Sequence, residues 1–187
     1  MKRVIFLIIG IFITATACQD DFVESENELS QVEKSAKFEK IKTFNIKSHI
    51  TVIPNNEAPT ITCNPETIVM SGSGWVSGQE SIFGKIVQEK SIYEKEYCEL
   101  TMTMDGPVLY TKVNVLLHNT TNEKQFVINH HFINIATGES WGNSELTGGT
   151  GRFEGATGYT EMLNVIIDPV TGIGTWDEEG EITLILK

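Results

Sequence analysis

Apolar residues recur at every second position along much of this chain, and that spacing allows little besides β-structure. In Phe44-Asn45-Ile46-Lys47-Ser48-His49-Ile50-Thr51-Val52 the apolar members Phe44, Ile46, Ile50 and Val52 share one face. Cys98, Leu100, Met102 and Met104 alternate with Glu99, Thr101, Thr103 and Asp105. Leu109, Val113, Val115 and Leu117 make a third run, and Leu163, Val165 and Ile167 a fourth. A period of two sets such residues on one side of a strand, against a core. Turn chemistry separates the runs at Asp105-Gly106-Pro107, Asn119-Thr120-Thr121-Asn122, Ala136-Thr137-Gly138 and Asp168-Pro169-Val170-Thr171-Gly172. No long helical period lies between them, so the chain reads as an all-β, antiparallel barrel or sandwich. Phe126 through Ile135 and Leu163 through Ile167 are apolar on both faces. A strand covered on its outer side reads that way, and so does an oligomer interface.

The amino terminus has a different logic. Met1-Lys2-Arg3 is positive, Val4 through Ile13 is almost wholly apolar, and Thr14-Ala15-Thr16-Ala17 is small. That order predicts a secretory signal peptide over residues 1–17. The apolar run is about half of the roughly 20 residues that a membrane-spanning helix needs. Ala15-Thr16-Ala17-Cys18 resembles the bacterial lipobox, which implies that Cys18 is lipidated and becomes the first mature residue. Each buried methylene contributes about 0.8 kcal/mol, and several acyl chains together give lasting attachment where one does not. Gln19-Asp20-Asp21 is similar to the acidic tag that sends some lipoproteins to the outer face of the outer membrane. The expected setting is therefore the cell envelope, as an outer-membrane lipoprotein with a surface-exposed domain. Residues 18–40 are polar and charged and read as a tether, with residues 41–187 as one barrel domain.

The full sequence carries 14 basic and 25 acidic residues, a net charge of −11, and signal cleavage removes Lys2 and Arg3 from the basic side. Such an acidic chain with no basic cluster disfavours nucleic acid as a partner. With Cys18 lipidated, Cys63 and Cys98 remain. In an exported protein they form either a disulfide or two separately buried thiols. The absence of a CxxC pair, and of nearby histidines, argues against a metal site.

The segment Gly148-Gly149-Thr150-Gly151-Arg152-Phe153-Glu154-Gly155-Ala156-Thr157-Gly158 stands apart. Phosphate binding requires a Lys-Ser/Thr pair or a βαβ context, and a strand follows instead. Gly148, Gly149 and Gly151 suit a tight turn into a short strand, Phe153 suits an inward-facing core plug, and Ala156 and Gly158 leave room where strands bend at a barrel corner. At these residues the chain resembles the dirigent and allene oxide cyclase barrel superfamily, in which a GTGxFxGATG-like segment precedes one of the last strands. Gly72-Ser73-Gly74-Trp75-Val76, with Gly84-Lys85 downstream, is similar to an early hairpin of that family. Gly174-Thr175-Trp176 through Gly180-Glu181-Ile182-Thr183-Leu184 fits a terminal one. The resemblance implies an eight-stranded antiparallel barrel, calycin-like or allene oxide cyclase-like, whose lumen is filled by side chains or surrounds one small ligand. It carries no catalytic residue onto this chain.

Searching the residues themselves for chemistry gives little. His130 and His131 are strand neighbours and point to opposite faces, so they cannot share a site. No GxSxG elbow occurs, and no cofactor motif does. Asp177-Glu178-Glu179 lacks calcium-loop spacing and reads as a solvated hairpin turn. Trp75, Trp141 and Trp176 lie beside glycines or turns and suit core or rim packing. The function these features predict is a lipid-anchored barrel that takes a small apolar ligand or a protein partner. A cyclase- or isomerase-type enzyme is the alternative, to be favoured by a buried carboxylate in a cavity, and a structural or adhesion role is a third.

Overall fold

The computed structural model describes residues 40–64 and 68–186, and the expected signal peptide, Cys18 and the tether to residue 39 lie outside them. The described residues form β1 (Lys40–Pro54), β2 (Thr60–Thr62), β3 (Val69–Ser71), β4 (Ser73–Glu80), β5 (Gly84–Ile86) and β6 (Ile92–Thr103). These are followed by β7 (Gly106–His118), β8 (Lys124–Asn134), β9 (Ser140–Gly149), β10 (Thr157–Ile167) and β11 (Gly174–Leu186). The chain is all-β, and every strand pairing is antiparallel. Eight strands run in a ring, β1-β4-β6-β7-β8-β9-β10-β11 and back to β1. β1 makes closure possible because it is long enough to pair twice, with β11 over Lys40–Val52 and with β4 over Ser48–Pro54.

The ring closes at a short seam. β4 meets β6 only where Ser73–Trp75 faces Ile92–Glu94. On one side of that seam β5 extends β4, and the Val87 N–H reaches the His118 carbonyl at 2.8 Å. On the other side the β2–β3 hairpin lies against β6, with Asn64 N–H on the Cys98 carbonyl and Leu100 N–H on the Asn64 carbonyl. Cys63 and Cys98 form a disulfide at this contact. Leu100, Leu109, Ile61, Ile68 and Met70 pack around it as a small core separate from the main one.

The main core is built from the inward rows, including Ile46, Ile50, Val76, Val115, Leu117, Ile182 and Leu184. The period-two reading of Phe44–Val52 and of Leu109–Leu117 matches these rows, and the turns at 119–122, 136–138 and 168–172 fall between strands, while of Asp105-Gly106-Pro107 only Asp105 does, Gly106 and Pro107 opening β7. Four expectations need correction. Cys98 and Leu100 face inward, but Met102 and Met104 are exposed, because this end of β6 runs out beyond the core. Leu163 does not share a face with Val165 and Ile167. A bulge between Leu163 and Ile166, with Asn164 at φ 54°, reverses the alternation and leaves Leu163 outside. Gly174 through Leu184 is one continuous strand rather than a hairpin, so Asp177-Glu178-Glu179 lies in mid-strand and not in a turn. Gly151–Phe153 is a single 3-10 turn rather than a short strand.

Candidate functional site in the barrel lumen

The inward rows enclose a cavity of about 450 Å³. Its walls are mostly aliphatic, with Val113, Val115, Val127, Leu146 and Met162 among them. One end is sealed: Phe83 and Phe153 are fully buried and meet edge to face, 5.2 Å between centroids and 76° between planes. The lining continues to the exposed turn Pro169–Gly172 and to Asn56, which places the open end there.

The glycine segment builds the sealed end. At Gly149 a Cβ would lie 2.1 Å from the Lys124 carbonyl oxygen and 2.6 Å from Phe153 Cβ, so only glycine fits. Gly151 has φ 65°, which turns the chain so that Phe153 enters the core. Gly155 lies in the turn ahead of β10, and Gly158 in β10 borders the cavity. Arg152 stays outside, where its guanidinium donates to both Glu123 carboxylate oxygens, 2.7 to 3.2 Å away. That pairing holds the Glu123 carboxyl down at about 2 and ties the turn to the β7–β8 loop.

Into this apolar lumen project several polar side chains. Glu178 lies on β11 between Trp176 and Gly180, and period two turns it inward while Asp177 and Glu179 face out to His49 and Lys47. Its carboxylate accepts four hydrogen bonds. Ser144 Oγ (2.7 Å) and Trp176 Nε1 (2.9 Å) reach one oxygen; Ser48 Oγ (3.2 Å) and Thr160 Oγ1 (3.3 Å) reach the other. Glu80 stands directly across β1, since Ser48 is register partner to both Glu80 and Glu178. It accepts the Phe83 N–H at 3.1 Å and Gln125 Nε2 at 3.5 Å. Burial raises the Glu80 carboxyl to about 7, with repulsion from Glu178 adding to the rise.

On the facing wall stand Lys95, Asn129 and His131. Burial lowers the Lys95 ammonium to about 8 and the His131 imidazolium to about 4, the latter with help from Lys95. His131 Nε2 lies 3.1 Å from Ser140 Oγ. The buried Asn129 Oδ1 has no partner among the described residues. A buried acceptor left unpaired is costly, so this position is one that a bound hydroxyl or water relieves.

No family model matches the chain, and no curated protein matches it. Among solved structures it is similar to the pterocarpan synthase dirigent protein GePTS1, at 12% identity over 79% of this chain and 93% of that one, with a TM-score of 0.44. It is also similar to the pterocarpan synthase dirigent protein PsPTS1, at 14% identity over 78% and 97% of the two chains, with a TM-score of 0.40. The chemistry of the lumen is read from its own residues.

Of the residues singled out from the sequence, the structure places Gly149, Gly151, Phe153, Gly155 and Gly158 at or near the sealed end. Cys63 and Cys98 lie at the seam, away from the lumen walls. Cys18 is outside the described residues. Trp176 lines the cavity, while Trp75 and Trp141 are exposed on the outer surface. His131 faces in and His130 faces out against Tyr110. Glu80, Lys95, Asn129 and Glu178 were not singled out as site residues.

The Glu80 carboxyl gives a pH prediction. Its folded value, about 7, is above the ordinary 4.5, so the folded state holds a proton that the unfolded chain has already released. The favourable contribution is therefore fully present below about 4.5 and is lost as pH rises through about 7. The loss amounts to roughly 3 kcal/mol at most. Denaturant melts between pH 4.5 and 8 should show this decline, and Glu80→Gln should flatten it. An unchanged slope in the variant assigns the decline to other groups.

Proposed function

We propose that the barrel is a binding module that takes one small, mainly apolar molecule into its lumen, and that lipid on Cys18 holds the chain at a membrane of the cell envelope. The observation that carries the first part is the 450 Å³ cavity with aliphatic walls and a few convergent polar groups. Small-molecule sites occupy about 300–1,000 Å³ and have this mixture of lining. The lipid anchor is supported by the order of charge, apolar run and small residues before Cys18.

The test of ligand binding is native mass spectrometry of the full chain after exposure to a lipid extract, together with titration of a neutral fluorescent apolar probe. A one-to-one bound species and saturable probe fluorescence are expected; neither appearing sinks the reading. Metabolic labelling with a lipid precursor should mark the wild-type chain and leave Cys18→Ala unlabelled.

The two lumen carboxylates favour a second reading, in which the bound molecule is isomerised or cyclised. Burial raises the Glu80 carboxyl to about 7, where it can give or take a proton near neutral pH, and Glu178, which accepts four hydrogen bonds, faces the same cavity. On that reading a ligand recovered from the chain is a converted molecule, and Glu80→Gln binds the precursor but does not convert it.

A further inference from the structure

We infer that the ligand of this lumen carries an acidic head group, a carboxylate or a phosphate, and that Lys95 pairs with it. The inference rests on the ligand-binding reading above and specifies the chemistry of what binds.

Lys95 is the only lysine or arginine lining the cavity among the described residues. The chain as a whole is strongly acidic, at −11, so this cation stands against the prevailing charge. Its Nζ donates to one protein acceptor, the Ser71 carbonyl oxygen at 2.9 Å. An ammonium has three donors, so two are left for something else. No carboxylate of the described residues lies within ion-pair distance of it. The contrast with the outer surface is informative. There Lys47 meets Glu179, Lys112 meets Glu96 and Arg152 meets Glu123, although water already stabilises those charges. The buried cation, which needs a counter-charge more than those three, has none among the described residues.

The surroundings of Lys95 do not supply a substitute. Its cross-strand partner on β7 is Val113. The Tyr93 ring is 5.9 Å from Nζ, a weak cation–π contact. His131, pushed well below its usual range, adds neither a rival charge nor a counter-charge near neutral pH. Burial of an unpaired charge is unfavourable, and removing that penalty on binding is a direct source of affinity. A flexible point charge suits either a planar carboxylate or a tetrahedral phosphate.

Geometry sets the orientation. Lys95 is tied to Ser71, which with Met70 and Asn56 belongs to the lining toward the open end. The acidic head therefore sits near the entrance, and the apolar body runs inward over Val115, Val127 and Leu146 toward the Phe83–Phe153 plug.

The test is displacement of a neutral fluorescent apolar probe from the full chain by four decyl competitors: decanoate, decyl phosphate, decanol and decylamine. At neutral pH at least one anionic competitor should displace the probe at a concentration tenfold or more below that of decanol, with decylamine weakest. Which anion is preferred identifies the head group. Lys95→Met should abolish the preference while leaving decanol affinity within about threefold, which also shows that the variant lumen is intact. Lys95→Arg should keep part of it. Equal affinity for decanol and both anions overturns the inference, as does a preference that survives Lys95→Met, and in either case probe binding leaves the ligand reading standing. A chain that binds no probe and no competitor overturns both.

Discussion

Replacing Cys63 and Cys98 together by alanine should lower the unfolding free energy of the barrel by about 4 kcal/mol, the contribution expected from cross-linking a loop of this length. The bond joins residues 35 apart in sequence and encloses β3, β4 and β5. Without it the denatured chain regains the freedom of that loop, and the native state keeps little to offset the change. Beyond the two backbone hydrogen bonds of Asn64 to β6 and those of Lys95 to the Ser71 and Gly72 carbonyls, the β2–β3 hairpin is held by a cluster of a few partly buried side chains. For a domain near 150 residues this corresponds to a melting temperature about 10 °C lower. The loss should also be uneven. Amide exchange should rise first in residues 60–64 and 68–71 and at the Lys95 N–H, which donates to the Gly72 carbonyl at the edge of the hairpin. Cys63→Ala alone should cost about as much as the double variant. A fall below about 1 kcal/mol would mean that apolar packing, not the cross-link, holds the hairpin against the seam.

How much of this was legible beforehand depended on whether local alternation survives at each position. β1 and β7 are regular, and their inward rows can be read directly from Ile46–Val52 and Leu109–Leu117. β10 cannot be read so, because its bulge at Asn164 exchanges the two faces within one strand, and no residue type in Leu163–Ile167 announces the exchange. Lys95 is hidden for the same reason. A register shift between Lys95 and Tyr97 puts Lys95 inward along with Cys98, three residues away, where strict alternation would separate them. Glu178 was readable in principle. Stepping back by twos from Ile182 and Leu184 passes through Gly180 to Glu178 and Trp176, but two glycines and an acidic triplet look more like a turn than a strand. The convergence of Glu80, Ser48 and Glu178 required the ring to close, and nothing local specifies that β1 pairs with β4 as well as β11.

Phe153→Ala should cost about 3–5 kcal/mol, the range for deleting a fully buried phenyl ring. The upper part of that range is expected here, because the site cannot collapse. Phe83, Ala156 and Ile182 around it are themselves fully or almost fully buried, and their backbone is held by the strands and turns of the eight-stranded ring. The edge-to-face contact with Phe83, about 0.5–1.5 kcal/mol by the usual measure of such pairs, is part of that loss. The deletion leaves an added apolar void at the sealed end of the lumen, so benzene should raise the melting temperature of the variant by more than it raises that of the wild type. Phe153→Leu should fall between the two. Gly149→Ala sharpens the argument, since its added methyl meets both the Lys124 carbonyl and Phe153 Cβ. Truncating Phe153 removes the ring but neither Phe153 Cβ nor the carbonyl, so Gly149→Ala should remain strongly destabilising in the Phe153→Ala background. A double variant no worse than Phe153→Ala would show instead that Gly149 is there for the ring, and that the backbone of β9 can move to make room.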